Sequence, residues 1–168
     1  KHGAQPLVGD ALASLEVLNA LLGRWKAHSA WTARAKSLKQ DWEKVVERVT
    51  AAPDKKARGL PSDAQVLGAV NRAALASGAK HIMVCAAGGL PGELHKLWRA
   101  PDSTAYHLEY GYSCMGYEIA GGLGAKLAAP EREVYVLVGD GSYLMMNSEI
   151  ATAVALKARL IIVVLDNR

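Results

Sequence analysis

The chain has 168 residues, enough for one domain with a substantial core, or for one domain and part of another. Hydrophobic residues make up 51% and charged residues 21%, a balance that excludes a disordered chain. The net charge of +4 is scattered and no apolar run approaches the ~20 residues of a membrane span, so neither a nucleic-acid partner nor a membrane is expected.

Taken in order, residues 5–8 form a short strand candidate. Asp10 can cap a helix over 11–22, where Leu12, Leu15, Leu18 and Leu22 recur at helical spacing and Gly23 stops it. This reads as the last βα unit of a preceding α/β domain. A long amphipathic helix follows over 29–50, with Trp31, Ala35, Leu38, Trp42, Val45 and Val49 in one stripe. That stripe is expected to pack against another domain or subunit. Residues 51–60, with Pro53, Gly59 and the basic cluster Lys55-Lys56-Ala57-Arg58, read as a solvated linker.

Ser62 and Gln65 have capping-box spacing at the start of a helix that runs to about Ser77 and stops at Gly78. A strand at 81–86 leads into Ala87-Gly88-Gly89-Leu90-Pro91-Gly92, where successive N–H groups could form an anion nest. A short helix at 93–98 follows, with His95 as a surface or packing residue. Residues 105–109 are strand-like and 110–115 form a loop. The next helix, 116–128, carries so many glycines that close approach of a backbone or ligand is expected, since each costs a helix ~1 kcal/mol relative to Ala. Cys85 and Cys114 have neither metal nor redox spacing; reduced thiols fit a reducing compartment, the cytoplasm.

The last stretch reads as strand (134–138), turn (Gly139-Asp140-Gly141-Ser142), helix capped by Asn147 and running to Lys157, and strand (160–165), ending in Asp166-Asn167-Arg168. Such a βαβ unit has parallel strands and a right-handed crossover. Asp140 and Asn167 then fall at the carboxyl ends of strands, where open α/β sheets bind ligands. Their oxygens suit Mg²⁺. Gly139 and Gly141 let the backbone approach a diphosphate, and Ser142 offers it an N–H and a hydroxyl.

Gly139-Asp140-Gly141-Ser142, then a helix, a strand and Asn167, resembles the signature of thiamine-diphosphate enzymes. The resemblance implies an α/β fold. Its parts would be a middle-domain tail at 1–24, a connecting helix and linker at 25–60, and a parallel-sheet diphosphate-binding domain at 61–168. It implies thiamine diphosphate and Mg²⁺ as cofactors, with Asp140 and Asn167 as metal ligands. Gly88, Gly89, Leu90, Gly139, Gly141, Ser142 and Asn167 would face the cofactor. The family's usual Asn-Asn ending is Asp166-Asn167 here. Its third metal ligand, a backbone carbonyl two residues beyond the Asn, falls past Arg168, so the domain is expected to be incomplete. Gly111-Tyr112-Ser113-Cys114-Met115-Gly116 resembles the acetolactate-synthase-like pattern. There a large apolar residue, matched by Met115, wedges between the cofactor rings, and the carbonyl of the residue matched by Ser113 receives the aminopyrimidine.

Three longer stretches, CAAGGLPGELHKLW, HLEYGYSCMGYEIAGGLGAKLA and GDGSYLMMNSEI with LDNR, resemble the acylhydrolases of myo-inositol catabolism. These open the ring of trihydroxycyclohexane-1,2-dione to 5-deoxyglucuronate. The resemblance implies a cyclic diketone substrate and a homodimeric or homotetrameric parent. It also implies an activating glutamate on a pyrimidine domain absent from this chain, so the 168 residues alone would be inactive and hold no catalytic residue. Two alternatives stay open: an acetolactate-synthase-like lyase or synthase, and a non-catalytic nucleotide-binding or dimerisation module. Against the last, no loop matches G-x-G-x-x-G or a Walker A sequence.

Overall fold

The computed structural model describes residues 3–54 and 59–166. The chain divides into two compact units, Lys1–Trp42 and Glu43–Arg168.

In the first unit, helix α1 spans Ala11–Leu22. Asp10 caps it by accepting from the Ala13 N–H at 2.9 Å, and Gly23 closes it with φ +53°. None of its residues is buried. The strand expected at 5–8 does not form. The four strands among the described residues all lie in the second unit, and an extended segment with no neighbour has nowhere to place its N–H and C=O groups except water. Helix α2, Ser29–Thr50, begins in this unit and keeps the length its apolar stripe predicts.

The division between the two units falls inside α2. The last two turns of α2 are part of the second unit's packing. Val46 is in its core, and Glu43 pairs with Arg99 at 2.6 Å. The Thr50 carbonyl accepts from Arg72 Nη1 at 2.7 Å. Helix α3, Asp63–Ala76, opens with the complete capping box of Ser62 and Gln65. It crosses the end of α2 at Gly68, where a Cβ would collide with the Thr50 carbonyl oxygen.

The sheet has strands β1 (His81–Cys85), β2 (Tyr106–Leu108), β3 (Glu133–Gly139) and β4 (Ile161–Leu165), in the order β2-β1-β3-β4. All pairs are parallel, with Met83 beside Tyr106 and Tyr135, and Tyr135 beside Ile161. Helices α4 (Leu90–Leu97), α5 (Tyr117–Ala128), α6 (Asp140–Met145) and α7 (Glu149–Ala155) fill the crossovers. Strand alternation splits the core in two. Met83, Cys85, Tyr135 and Leu137 face Val46, Leu67, Leu94, Leu97 and Trp98. Ile82, Val84, Val134, Val136 and Val138 face Ile119 and the partly buried Ile150. Burial on both faces is why β1 and β3 read as unbroken apolar runs.

Two helix boundaries differ from expectation. The helix expected at 93–98 starts at Leu90, because Pro91 fits a first turn, where its missing N–H costs nothing. The helix expected from Asn147 to Lys157 is replaced by two. Chain direction turns helical directly at Asp140, breaks at Met146 (φ −145°, ψ 60°), and resumes at Glu149. Lys157 takes a left-handed φ of +54°, which ends the second helix early.

His81 occupies the start of β1 and is 1% exposed. Its ring meets the edges of Trp98 and Tyr135 at centroid distances of 6.1 and 5.9 Å. Its Nε2 has no hydrogen-bond partner among the described residues. Burial, and then the Arg132 guanidinium, which donates to the His81 carbonyl at 2.7 Å, hold its pKa below the usual value. Below pH about 6.5 the unfolded chain takes up this proton and the folded one does not, so stability falls with pH until the folded pKa is reached. The expected result is a melting temperature that drops as the pH falls below about 6.5. A His81→Phe variant should flatten that part of the profile; an unchanged slope would assign it to other groups.

Candidate functional site

The chain leaves β1 towards β2 on one side, then returns across β1 to β3 and β4 on the other. The loops after β1 and β3 therefore part company between neighbouring strands, which is where open parallel sheets form their ligand crevice. A cleft of about 260 Å³ opens there. The β1 loop lines it with Ala87, Gly88, Gly89 and Leu90. The β3 loop and the first turn of α6 contribute Gly139, Asp140, Gly141 and Ser142. Met115 flanks it from the loop before α5, and Asp63 and Leu165 complete the lining.

Residues expected from three separate stretches of sequence (88–90, 115 and 139–142) thus meet at one crevice. At Gly88, Gly89 and Gly139 an added Cβ would meet nothing, so the backbone lies open to the cleft, and Gly88 has φ +83°. Met115 is half exposed, and its methyl lies 3.5 Å from where a Cβ on Gly141 would sit. Leu90 reaches the cleft while belonging to the core cluster below it. Ser113 is not in the lining; it stands in the exposed loop before Met115 with φ +54°. That loop is tied by Glu109, whose carboxylate accepts from the N–H of Cys114 at 2.7 Å and of Tyr112 at 3.1 Å. Those two bonds, Cys114 first, hold the Glu109 pKa below the usual carboxylate range. The expectation for Asn167 lies outside the described residues.

Ser142 corrects one detail. Its hydroxyl is not turned to a ligand: it donates to Glu118 Oε2 at 2.6 Å and accepts from the Gly116 N–H at 2.7 Å. Glu118, which accepts that bond, is not among the residues the sequence singled out. It is 1% exposed, and also accepts from the Ala87 N–H at 3.1 Å and the Gly116 N–H at 3.0 Å. The available signal was its place one turn before Gly122, on the face of α5 that carries Ile119. Cys85, deep in the same strand edge, is no nucleophile: burial, and then the Glu118 carboxylate, push its thiol up to about 12.

Among the lining residues the ionisable groups are Asp63 and Asp140, with no lysine or arginine. The described residues hold no cluster of three or more His, Cys, Asp and Glu that could bind a metal. A diphosphate fits the size and open glycine backbone of this cleft, but its charge would face carboxylates. A hard divalent cation on Asp140 would resolve that conflict, since Mg²⁺ can join one or two carboxylates to phosphates. No helix of the described residues is long and apolar enough to cross a membrane.

This fold and crevice define a cofactor-binding domain of known type. Residues 86–168 of the chain match the model of the thiamine pyrophosphate enzyme C-terminal TPP binding domain, and this segment is a domain of that family. More particularly, the chain is similar to proteins named 3D-(3,5/4)-trihydroxycyclohexane-1,2-dione hydrolase. Identity is 39% with that of Clostridium perfringens (strain 13), over 99% of this chain and 29% of the relative. It is 41% with that of Shouchella clausii over the same shares, and 54% with that of Bacillus subtilis over 51% of this chain and 14% of the relative. The chain thus spans under a third of the length of these relatives. A solved structure, the Rhodococcus jostii RHA1 thiamine diphosphate-dependent 4-hydroxybenzoylformate decarboxylase, shares the fold with a TM-score of 0.57. It is 22% identical, over 70% of this chain and 22% of that one.

Proposed function

We propose that the full-length protein is a thiamine-diphosphate- and Mg²⁺-dependent hydrolase that cleaves a C–C bond of trihydroxycyclohexane-1,2-dione, giving 5-deoxyglucuronate. The observation that carries this reading is the convergence of Gly88-Gly89, Met115 and Gly139-Asp140-Gly141 on one crevice in a chain related along 99% of its length to dione hydrolases. Asp140 would hold the metal, with Asn167 as its second side-chain ligand. The open backbone at Gly88, Gly89 and Gly139 would admit the diphosphate. Met115 would stand against the cofactor rings, and Ser113 would present its carbonyl from the loop that Glu109 ties. The bound cofactor supplies a nucleophilic carbon and an electron sink for the cleavage.

This chain binds and orients; no side chain in the cleft is placed as a general base besides the two carboxylates. The proton-transfer group is assigned to a domain outside it, so the 168 residues alone are proposed to be inactive. The exposed Trp31 and the apolar side of α1 support a home in a larger homo-oligomeric assembly, dimer or tetramer. The free thiols Cys85 and Cys114 support a cytoplasmic location. The test is turnover by the full-length protein with both cofactors, offering the trihydroxycyclohexanedione beside pyruvate and following products by mass spectrometry. Ring-opened acid from the dione alone is expected. Acetolactate from pyruvate would keep the cofactor and overturn the substrate.

A further inference from the structure

Glu118 combines three properties that ordinary packing does not explain. It is ionisable yet 1% exposed. Its hydrogen bonds go to three different chain segments: Oε1 takes the Ala87 N–H, and Oε2 takes the Gly116 N–H and the Ser142 hydroxyl. Each of those segments lines the cleft. Ala87 precedes Gly88-Gly89, Gly116 follows Met115, and Ser142 closes the Asp140-Gly141 turn. All three donors are neutral, and no lysine, arginine or histidine among the described residues forms an ion pair with it. A buried carboxylate without a countercharge is costly, and a leucine would pack the same face of α5 without that cost. What the carboxylate adds is direction: it fixes the separation of three loops that no backbone ladder joins.

We propose that Glu118 is a positioning residue that sets the spacing of the β1 loop, Met115 and the Asp140 turn for the diphosphate, without touching the cofactor itself. The proposal rests on the thiamine-diphosphate reading of the cleft. Glutamine is not an adequate substitute. Its oxygen can serve the Ala87 N–H, but its NH₂ would then face the donors at Gly116 and Ser142. Ser142 shares the corner, since its hydroxyl also accepts from the Gly116 N–H at 2.7 Å.

The experiment is a calorimetric titration of the full-length apoprotein with thiamine diphosphate in excess Mg²⁺, well below the melting temperature of each variant. Glu118→Gln is expected to weaken binding about tenfold or more, on the scale by which groups that orient a ligating set act. Ser142→Ala should weaken it less, and the double variant should bind no worse than Glu118→Gln alone, because both changes break one corner. Leu67→Ala, which opens the opposite core cluster, should lower the melting temperature while leaving affinity within about twofold. Affinity within about twofold of wild type for Glu118→Gln would overturn the proposal. Should that variant not fold, an unchanged affinity in Ser142→Ala overturns it equally. Absence of binding by the wild-type protein would instead remove the cofactor reading, and this proposal with it.

Discussion

Replacing Asp140 by Ala in the full-length protein is expected to abolish measurable Mg²⁺-dependent binding of thiamine diphosphate while leaving the apoprotein's melting temperature nearly unchanged. The argument is electrostatic. The cleft brings two carboxylates, Asp140 and Asp63, and no lysine or arginine towards a ligand that is itself an anion. Without a bridging cation the diphosphate meets only repulsion and neutral backbone. Asp140 stands in the first turn of α6 at the mouth of the crevice, and its side chain has no hydrogen bond or ion pair within the described residues. Its removal therefore costs the fold little. Changes to groups that merely orient metal ligands cost roughly 10–100-fold in affinity, so loss of the ligand itself should cost at least roughly 100-fold. Isothermal titration with and without Mg²⁺ measures this. Retained tight binding in Asp140→Ala would remove Asp140 from the metal site.

The second large effect is on stability. Gly122→Val should destabilise the protein by about 3 kcal/mol or more, because even a Cβ at that position would run into the Val136 side chain, and overpacking of a closed core costs ~1–3 kcal/mol before a branched side chain is added. Gly124→Ala on the same helix is the matched control. A Cβ there meets nothing, so the variant should gain up to about 1 kcal/mol of helix propensity. Thermal melts of the two variants should therefore move in opposite directions. A joint fall would mean that α5 needs glycine for its own backbone, not for its fit to β3.

These glycines show what a sequence can and cannot announce. Their density led to the expectation that a backbone or a ligand comes close; what comes close instead are side chains, and only at some of the glycines. Gly122 fits against a β-branched side chain in a strand, Gly121 lies under the Tyr117 ring, and Gly124 faces open space. The strands and long helices were legible because their signals are local: apolar runs for β1, β3 and β4, an amphipathic stripe for α2, a capping box for α3. The strand expected at 5–8 failed because a strand is defined by a neighbour, and composition does not supply one. The early starts of α4 and α6 were missed for a related reason. Glycine-rich stretches read as turns, yet Gly89 and Gly139 each stand directly before a first helical turn. The cleft was legible as a set of residues at strand ends. The Ser142 hydroxyl, turned inward to Glu118, was not, since its partner lies 24 positions away in sequence.

Strand β4 pairs with β3 on one side, and among the described residues nothing pairs with its other side. Its residues are half-buried or exposed, whereas those of β3 are almost all buried. A row of free N–H and C=O groups flanked by Ile161, Ile162, Val163 and Val164 is an invitation to strand addition, and no proline, lysine or bulge within the strand blunts it. Solubility is then a property of whatever covers this border. For the 168 residues in isolation, that open border makes concentration-dependent clumping the expected behaviour, which light scattering reads directly.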